Sequence, residues 1–230
     1  NSQPMGFYSP RALVADLQRH GAEVRSVCVN NSIWNCTLES TESGEAALRL
    51  GFRLLKGFGE DHGKSIVAAR QRCSFANLPD FARRTHLDRG KLQLLAQAGT
   101  FVDFEANRRR AAWILQGLWT DLPLFSSLSR QEPAPELPLE GPTQALQAEY
   151  RSMGLSVDRH PVRQIRPRLQ GLGAMPMASL ATHPPGARIR IAGMVSSRQR
   201  PGTASGVVFM TLEDETGLTN LVVWPRTWSR

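Results

Sequence analysis

The sequence predicts a multi-domain α+β chain: a helix-rich first half carrying a helix-hairpin-helix bundle, a linker, and a truncated β-barrel of the OB type. Three observations carry that expectation. From residue 48 to about 117, apolar side chains recur at helical spacing in short runs broken by tight turns. Residues 118 to 145 are rich in Pro, Ser and Glu ("SSLSRQEPAPELPLEGP") and read as an exposed linker. Beyond residue 178 the apolar period falls to two. With 230 residues and 41% hydrophobic content, the chain can build one large or two small cores.

Taken in order, residues 1 to 47 open with "PRALVADLQRHG", a helix ending at Gly21, followed by the alternating "AEVRSVCVN", a short strand. Residues 48 to 117 hold five helical pieces: "AALRLGFRLLK", "EDHGKSIVAARQR", "LPDFARR", "DRGKLQLLAQAG" and "FEANRRRAAWILQGL". Pieces this short must pack on each other to be stable. After the linker, a helix around 144 to 152 leads into an Arg/Pro-rich segment, so that 146 to 177 reads as a connection. Residues 178 to 230 then hold three strands, "ARIRIAGMVSSRQ", "GVVFMTLED" and "TNLVVWP". An OB barrel needs five strands, so the last one is expected to present an unpaired edge.

Charge narrows the partners. Lys and Arg number 28 against 20 Asp and Glu, a net +8, which favours a polyanion and, without a basic amphipathic segment beside an apolar anchor, nucleic acid over membrane. The excess sits in two blocks, 49 to 110 with 13 basic and 6 acidic residues, and 146 to 200 with 9 and 2. Between them, 131 to 145 carries Glu132, Glu136 and Glu140 and no cation. The three cysteines, Cys28, Cys36 and Cys73, suit neither a zinc knuckle nor a disulfide framework and are expected to be buried thiols in a reducing compartment. With no signal peptide and no membrane-length apolar run, a cytoplasmic location is expected. The start at Asn1 without an initiator Met fits a piece of a longer protein.

The stretch "GFGEDHGKS", Gly57 to Ser65, imitates a phosphate-binding P-loop. A P-loop requires a glycine five positions before the glycine that precedes the lysine, and Phe58 stands there; the preceding "LRLGFRLLK" also reads as helix rather than buried strand. The pattern suits a helix-hairpin-helix turn instead. Gly57 and Gly59 let the backbone turn tightly and approach a ligand, Phe58 plugs a small core, Gly63 and Ile66 face the preceding helix, and the free amides of the next helix meet one DNA phosphate. Lys56 and Lys64 flank that point. A second unit follows in "HLDRGKLQLLAQAGTF", where Asp88 caps a helix carrying Arg89 and Lys91. Paired units of this kind hold backbone on both sides of a groove and read no bases. The plain alternative is a helical bundle whose glycines serve packing only.

In the strand-rich end, Arg188 and Arg190 alternate with Ile189 and Ile191 along the first strand, and Arg198 and Arg200 lie in the following loop. Phe209 and Trp224 are candidate rings for stacking on single-stranded bases, with core packing as the competing role of each. "LEDETGLTN" reads as a turn rather than a metal site.

Several long segments, in order, resemble one family: "NSQPMGFYSPRALVADLQRHGAEV", "LRLGFRLLKGFGEDHGKSIVAAR", "YRSMGLSVDRHPV" with "IRPRL", and "RQRPGTASGVVFMTLEDETGLTNLVVWP". Together they are similar to the C-terminal part of bacterial error-prone family C DNA polymerases, accessory relatives of the polymerase III alpha subunit. The resemblance implies that residues 1 to 47 close a fingers domain, that the hairpins of 48 to 117 grip the duplex, and that the OB domain of 178 to 230 lies near single-stranded template. It implies damage-induced translesion synthesis and DNA repair for the parent, with nucleotidyl transfer by Mg2+ held on palm carboxylates. No paired Asp motif of that kind occurs in these residues, so no cofactor and no catalytic residue is expected in them, and the chain alone is expected to be inactive. "TDLPLF", with Leu122, Leu124 and Phe125, resembles a weak sliding-clamp peptide, although Asp121 replaces the usual glutamine. A stand-alone DNA-binding adaptor pairing hairpins with an OB module remains the alternative.

Overall fold

A computed structural model describes residues 9–42, 44–71, 73–118 and 135–228. They form two compact units that meet in sequence at Val157 and Asp158.

The first unit opens with α1 (Pro10–Arg19), which starts as expected: Pro10 occupies its first turn and the Ser9 hydroxyl accepts from the Ala12 amide. A three-stranded sheet of order β1-β3-β2 follows, from β1 (Glu23–Arg25), β2 (Thr37–Ser40) and β3 (Ala46–Arg49). β3 is central, parallel to β1 and antiparallel to β2, with Leu48 opposite both Val24 and Leu38. The helix expected over "AALRLGFRLLK" is therefore a strand and then one 3₁₀ turn, Phe52–Leu54. Ala, Leu and Arg favour helix intrinsically, but pairing on both edges satisfies the backbone and outweighs that preference. Gly51 separates the two pieces because a Cβ there would lie 2.3 Å from the Asn35 carbonyl carbon.

Four helices then wrap one core: α2 (Glu60–Arg70), α3 (Leu78–Thr85), α4 (Arg89–Ala98) and α5 (Arg108–Gly117). Phe52, Phe81 and Phe101 are fully buried with Ile66, Leu92, Leu95 and Leu115. Phe75, Phe81 and Phe101 stack edge to face with centroids 4.9 and 5.0 Å apart. α6 (Pro142–Met153), expected near 144 to 152, also joins this unit by burying Ala145, Leu146, Glu149 and Met153. Arg108 holds it, donating to Glu149 at 2.7 Å, to the Ala145 carbonyl at 3.1 Å and to Glu140 at 3.4 Å. Gly99 makes room for that arginine, since a Cβ would lie 2.5 Å from its Nε.

The second unit consists of α7 (Pro161–Gly171), a 3₁₀ stretch (Met177–Thr182), β4 (Met194–Gln199), β5 (Val208–Asp214), β6 (Gly217–Val223) and the short α8 (Pro225–Trp228). The strands form an antiparallel meander of order β4-β5-β6, and no closed barrel forms among the described residues. The first strand starts later than its alternation suggests: Arg188 and Arg190 precede it, and Ile191 makes only an isolated bridge to Met175. Asp214 ties the β5–β6 turn to the rest. It accepts from the Thr216 amide at 2.7 Å, the Thr216 hydroxyl at 2.6 Å, the Met177 amide at 2.9 Å and Arg166 at 2.7 Å. Within "LEDETGLTN", expected to be a turn, only Glu215 and Thr216 turn; the residues before and after them belong to β5 and β6.

Candidate nucleic-acid interface

The two hairpins share one backbone design. In the first, Gly57 takes a left-handed φ of 75°, Phe58 is buried, and Gly59 is extended at φ −87° and ψ 156° as the N-cap of α2. In the second, His86 takes φ 52°, Leu87 is buried, and Asp88 is extended at φ −66° and ψ 161° as the N-cap of α4. The same three-residue turn therefore recurs 29 positions on, with His86 tolerated where Gly57 stands. Phe58 packs on Phe52 at 5.9 Å and on His62 at 5.6 Å, so the plug is anchored from both sides. Gly63 faces Trp34 and Phe52, where a Cβ would approach the indole to 3.1 Å.

The hairpins differ at the helix start, where an anion would bind. α2 has no side-chain cap, so its first amides are free to donate outward, although Glu60 and Asp61 sit in the same turn. α4 is closed by its own residue: the Asp88 carboxylate accepts from the Lys91 amide at 2.9 Å. A phosphate at α4 would meet that carboxylate. The first hairpin is open and the second is self-capped.

The expected cations are placed as follows. Lys64 is exposed and pairs with Glu60 at 2.9 Å one turn back, which raises its pKa. Lys91 reaches across to donate to the Gly57 carbonyl at 2.6 Å, joining the two hairpins. Lys56 folds toward the end of α6 and donates to the Tyr150 carbonyl at 3.1 Å. Arg89 is exposed, and its side chain makes no hydrogen bond or ion pair among the described residues. Several other arginines of the basic block are structural. Arg49 binds Glu39, Arg70 binds the Val29 carbonyl, and Arg84 binds Asp80 while lying 4.5 Å over the Phe75 ring. Counting charges therefore overstates the cations available to a ligand. Beside the hairpin turn, a cleft of about 550 Å³ carries Lys56, Arg109 and Arg151; the last two were not among the expected site residues, and only the "NRRR" run hinted at one of them.

In the second unit Arg190 donates to the Leu172 carbonyl at the end of α7 and is spent there rather than on the sheet face. Arg198 stands on β4, not in the loop after it, opposite Met210 of β5; Arg200 follows the strand, exposed. Phe209 is 42% exposed and Trp224 64% exposed, so neither ring is core in this unit. Phe209 sits between Gln199 and Val222 in one cross-strand row, next to the row of Ser197, Thr211 and Asn220. That face is apolar at one end and hydrogen-bonding along its middle.

The thiols divide: Cys28 is buried, whereas Cys36 and Cys73 are exposed, against the expectation that all three are buried. Burial and the neighbouring Asp103 carboxylate push the Cys28 thiol pKa up. Cys36 lies just before the edge strand β2 and Cys73 between α2 and α3, where no core covers them. Among the described residues no three His, Cys, Asp or Glu side chains group to hold a metal ion. Leu122, Leu124 and Phe125 lie outside the described residues. No helix among the described residues is long and apolar enough to cross a membrane.

Comparison with known proteins gives two domain matches, a helix-hairpin-helix motif over residues 21–111 and an OB-fold nucleic acid binding domain over residues 189–230. The chain is 44% identical over 227 residues, 99% of its length, to an error-prone DNA polymerase of Alkalilimnicola ehrlichii. It is 42% identical over 97% of its length to one of Pseudomonas paraeruginosa, and 41% identical over its whole length to error-prone DNA polymerase 1 of Agrobacterium fabrum. It spans 22 to 23% of the length of these relatives.

Proposed function

From a chain that is similar along nearly its whole length to error-prone DNA polymerases, and that carries a helix-hairpin-helix motif followed by an OB-fold domain, we propose a DNA-holding segment of such a polymerase. Its parent acts in the cytoplasm in damage-induced translesion synthesis and repair. This segment supplies backbone grip, and the palm of the parent supplies Mg2+-dependent nucleotidyl transfer, so the segment alone is inactive. The supporting observation is the open start of α2 behind Gly57, Phe58 and Gly59, where uncapped amides and the nearby Lys56, Lys64 and Lys91 suit a phosphate. Arg89 would hold a neighbouring phosphate. On the OB unit, the exposed Phe209 and Trp224 rings suit stacking on unpaired bases, while Arg198, in register with Met210 and so on the other face of the sheet, and Arg200 would meet the strand's phosphates from the β4 edge. Leu122, Leu124 and Phe125 would reach a sliding clamp in this reading.

The test is binding of a fluorescent primer-template duplex across a salt series, with wild type beside Gly57→Ala/Gly59→Ala/Lys64→Ala. Binding through phosphates makes log K fall with log salt by about 0.9 per contact. The folded triple variant should lose affinity and show a shallower slope. Unchanged binding would leave the glycines as packing residues and refute the proposal.

A further inference from the structure

The cleft beside the first hairpin is lined by side chains from α4, α5 and α6, and its wall is continuous with the hairpin: Leu94 lines it and lies 3.7 Å from where a Cβ on Gly57 would be. α6 contributes Gln144, Gln147 and Arg151, spaced at i, i+3 and i+7, so one polar stripe runs roughly 10 Å along the helix. The opposite stripe is the buried one that docks α6.

Three cations converge on this space. Lys56, which donates to the carbonyl of Tyr150, and Arg151 both line it. Arg109 donates to Gln144 at 2.9 Å at the other end of the stripe. Arg151 is exposed, and its side chain has no hydrogen bond or ion pair among the described residues. The single acid, Glu140, is already answered by Arg108 at 3.4 Å. The result is a cationic channel lined by neutral hydrogen-bonding amides, the composition that suits a phosphodiester and its sugar rather than an apolar ligand.

We propose that this cleft continues the track begun at the first hairpin and holds the next stretch of the same DNA strand's backbone, with Arg109 and Arg151 as phosphate contacts. The proposal rests on the hairpin as a phosphate grip. Segment 142–153 then belongs to the binding surface and is more than a connection.

Duplex binding by the 230-residue chain tests it, with Arg109→Gln/Arg151→Gln and, separately, Arg151→Gln alone. Arg151→Gln removes an exposed, unpaired side chain, so its fold should persist. Each lost contact should cost roughly eightfold in affinity at 0.1 M salt and flatten the salt slope by about 0.9, and the double variant about twice that slope change. Wild-type affinity and slope in both variants would overturn the proposal while leaving the hairpin reading intact, provided Gly59→Asp still weakens binding. If Gly59→Asp and the arginine variants are all silent, the hairpin reading falls and takes this one with it. A fluorescent dATP that binds wild type and is lost in Arg151→Gln, with duplex binding unchanged, would assign the cleft to free nucleotide and also overturn it.

Discussion

The two hairpins offer a controlled exchange, because their N-cap residues share one backbone conformation yet differ in charge. Gly59→Asp places in the first hairpin the carboxylate that Asp88 supplies in the second. The site accommodates it: a Cβ on Gly59 would make an ordinary contact of 3.6 Å to the His62 ring, and its φ and ψ lie within about 21° and 5° of those of Asp88. The new carboxylate can accept from the His62 amide, as Asp88 accepts from Lys91. Relative to glycine such a cap adds only a few tenths of a kcal/mol, and repulsion from Glu60 and Asp61 opposes it, so thermal stability should barely change. Binding should change much more. A carboxylate about 4 Å from a phosphate costs about 1 to 4 kcal/mol at effective dielectrics between water and a protein surface, roughly fivefold to several hundredfold in affinity. The lower end applies at physiological salt, where screening is strongest. The reciprocal Asp88→Gly should cost little stability, free the Lys91 amide beside Arg89, and tighten duplex binding. Fluorescence anisotropy between 50 and 200 mM salt reads both, with circular dichroism checking the fold. A folded Gly59→Asp that binds with wild-type affinity and salt slope would refute the reasoning, because no phosphate could then occupy the start of α2.

Two stability predictions follow from close packing and one buried carboxylate. Gly51→Ala must push its Cβ against the Asn35 and Trp34 backbone at 2.3 to 2.5 Å, which no side-chain rotation relieves, and should lose about 3 kcal/mol or more by urea unfolding; a near-neutral result would show that this crossing can open. In the second unit, burial alone would raise the Asp214 pKa, but hydrogen bonds from Thr216 and Met177 and the Arg166 charge overcome it and hold it below the ordinary value. Glu215 is likewise held low by Arg166. Depressed folded values mean that this stabilisation is present above about pH 4 and is lost as pH falls through them. The stability gap between wild type and Asp214→Asn should therefore narrow from pH 5 to pH 3; a constant gap would assign Asp214 a role independent of its charge.

How much of this was legible in the sequence follows from how local each cause is. Gly57-Phe58-Gly59 was readable because a left-handed residue, a plug and an N-cap are consecutive, and Asp88 because capping spans three residues. β3 was misread because "AALRL" favours helix locally, and only its partners, β1 more than 20 residues earlier and β2, make it a strand. That error removes one argument against a P-loop, since a strand does precede the glycines; Phe58 at the required glycine position still excludes it. Phe209 and Trp224 show the same limit from the other side. Alternation places residues on two faces, but which face is covered depends on the rest of the unit, and both rings prove exposed.

Charge was the least legible property of the site, and the reason is specific. An arginine reads the same in sequence whether its guanidinium meets solvent or a carbonyl. Arg49, Arg70, Arg84 and Arg108 in the first basic block and Arg190 in the second are all held by carboxylates or backbone oxygens, so part of the charge that pointed to a polyanion is internal scaffolding. What is left for a ligand is narrower: Arg89 and Arg151, exposed side chains with no partner among the described residues; Lys56, Lys64, Lys91 and Arg109, which would meet a phosphate from the hydrogen bonds or ion pair they already make; and Arg198 and Arg200 in the second unit. Arg109 and Arg151 come from opposite sides of the acidic stretch at 131 to 145, which separates the two basic blocks in sequence. Arg108 reverses that separation by clasping Glu140 and Glu149 and drawing α6 against α5. The acidic spacer thus supplies part of the clasp that brings Arg151, at the start of the second block, beside the first, and the ligand-facing charge there is a product of the fold rather than of the composition.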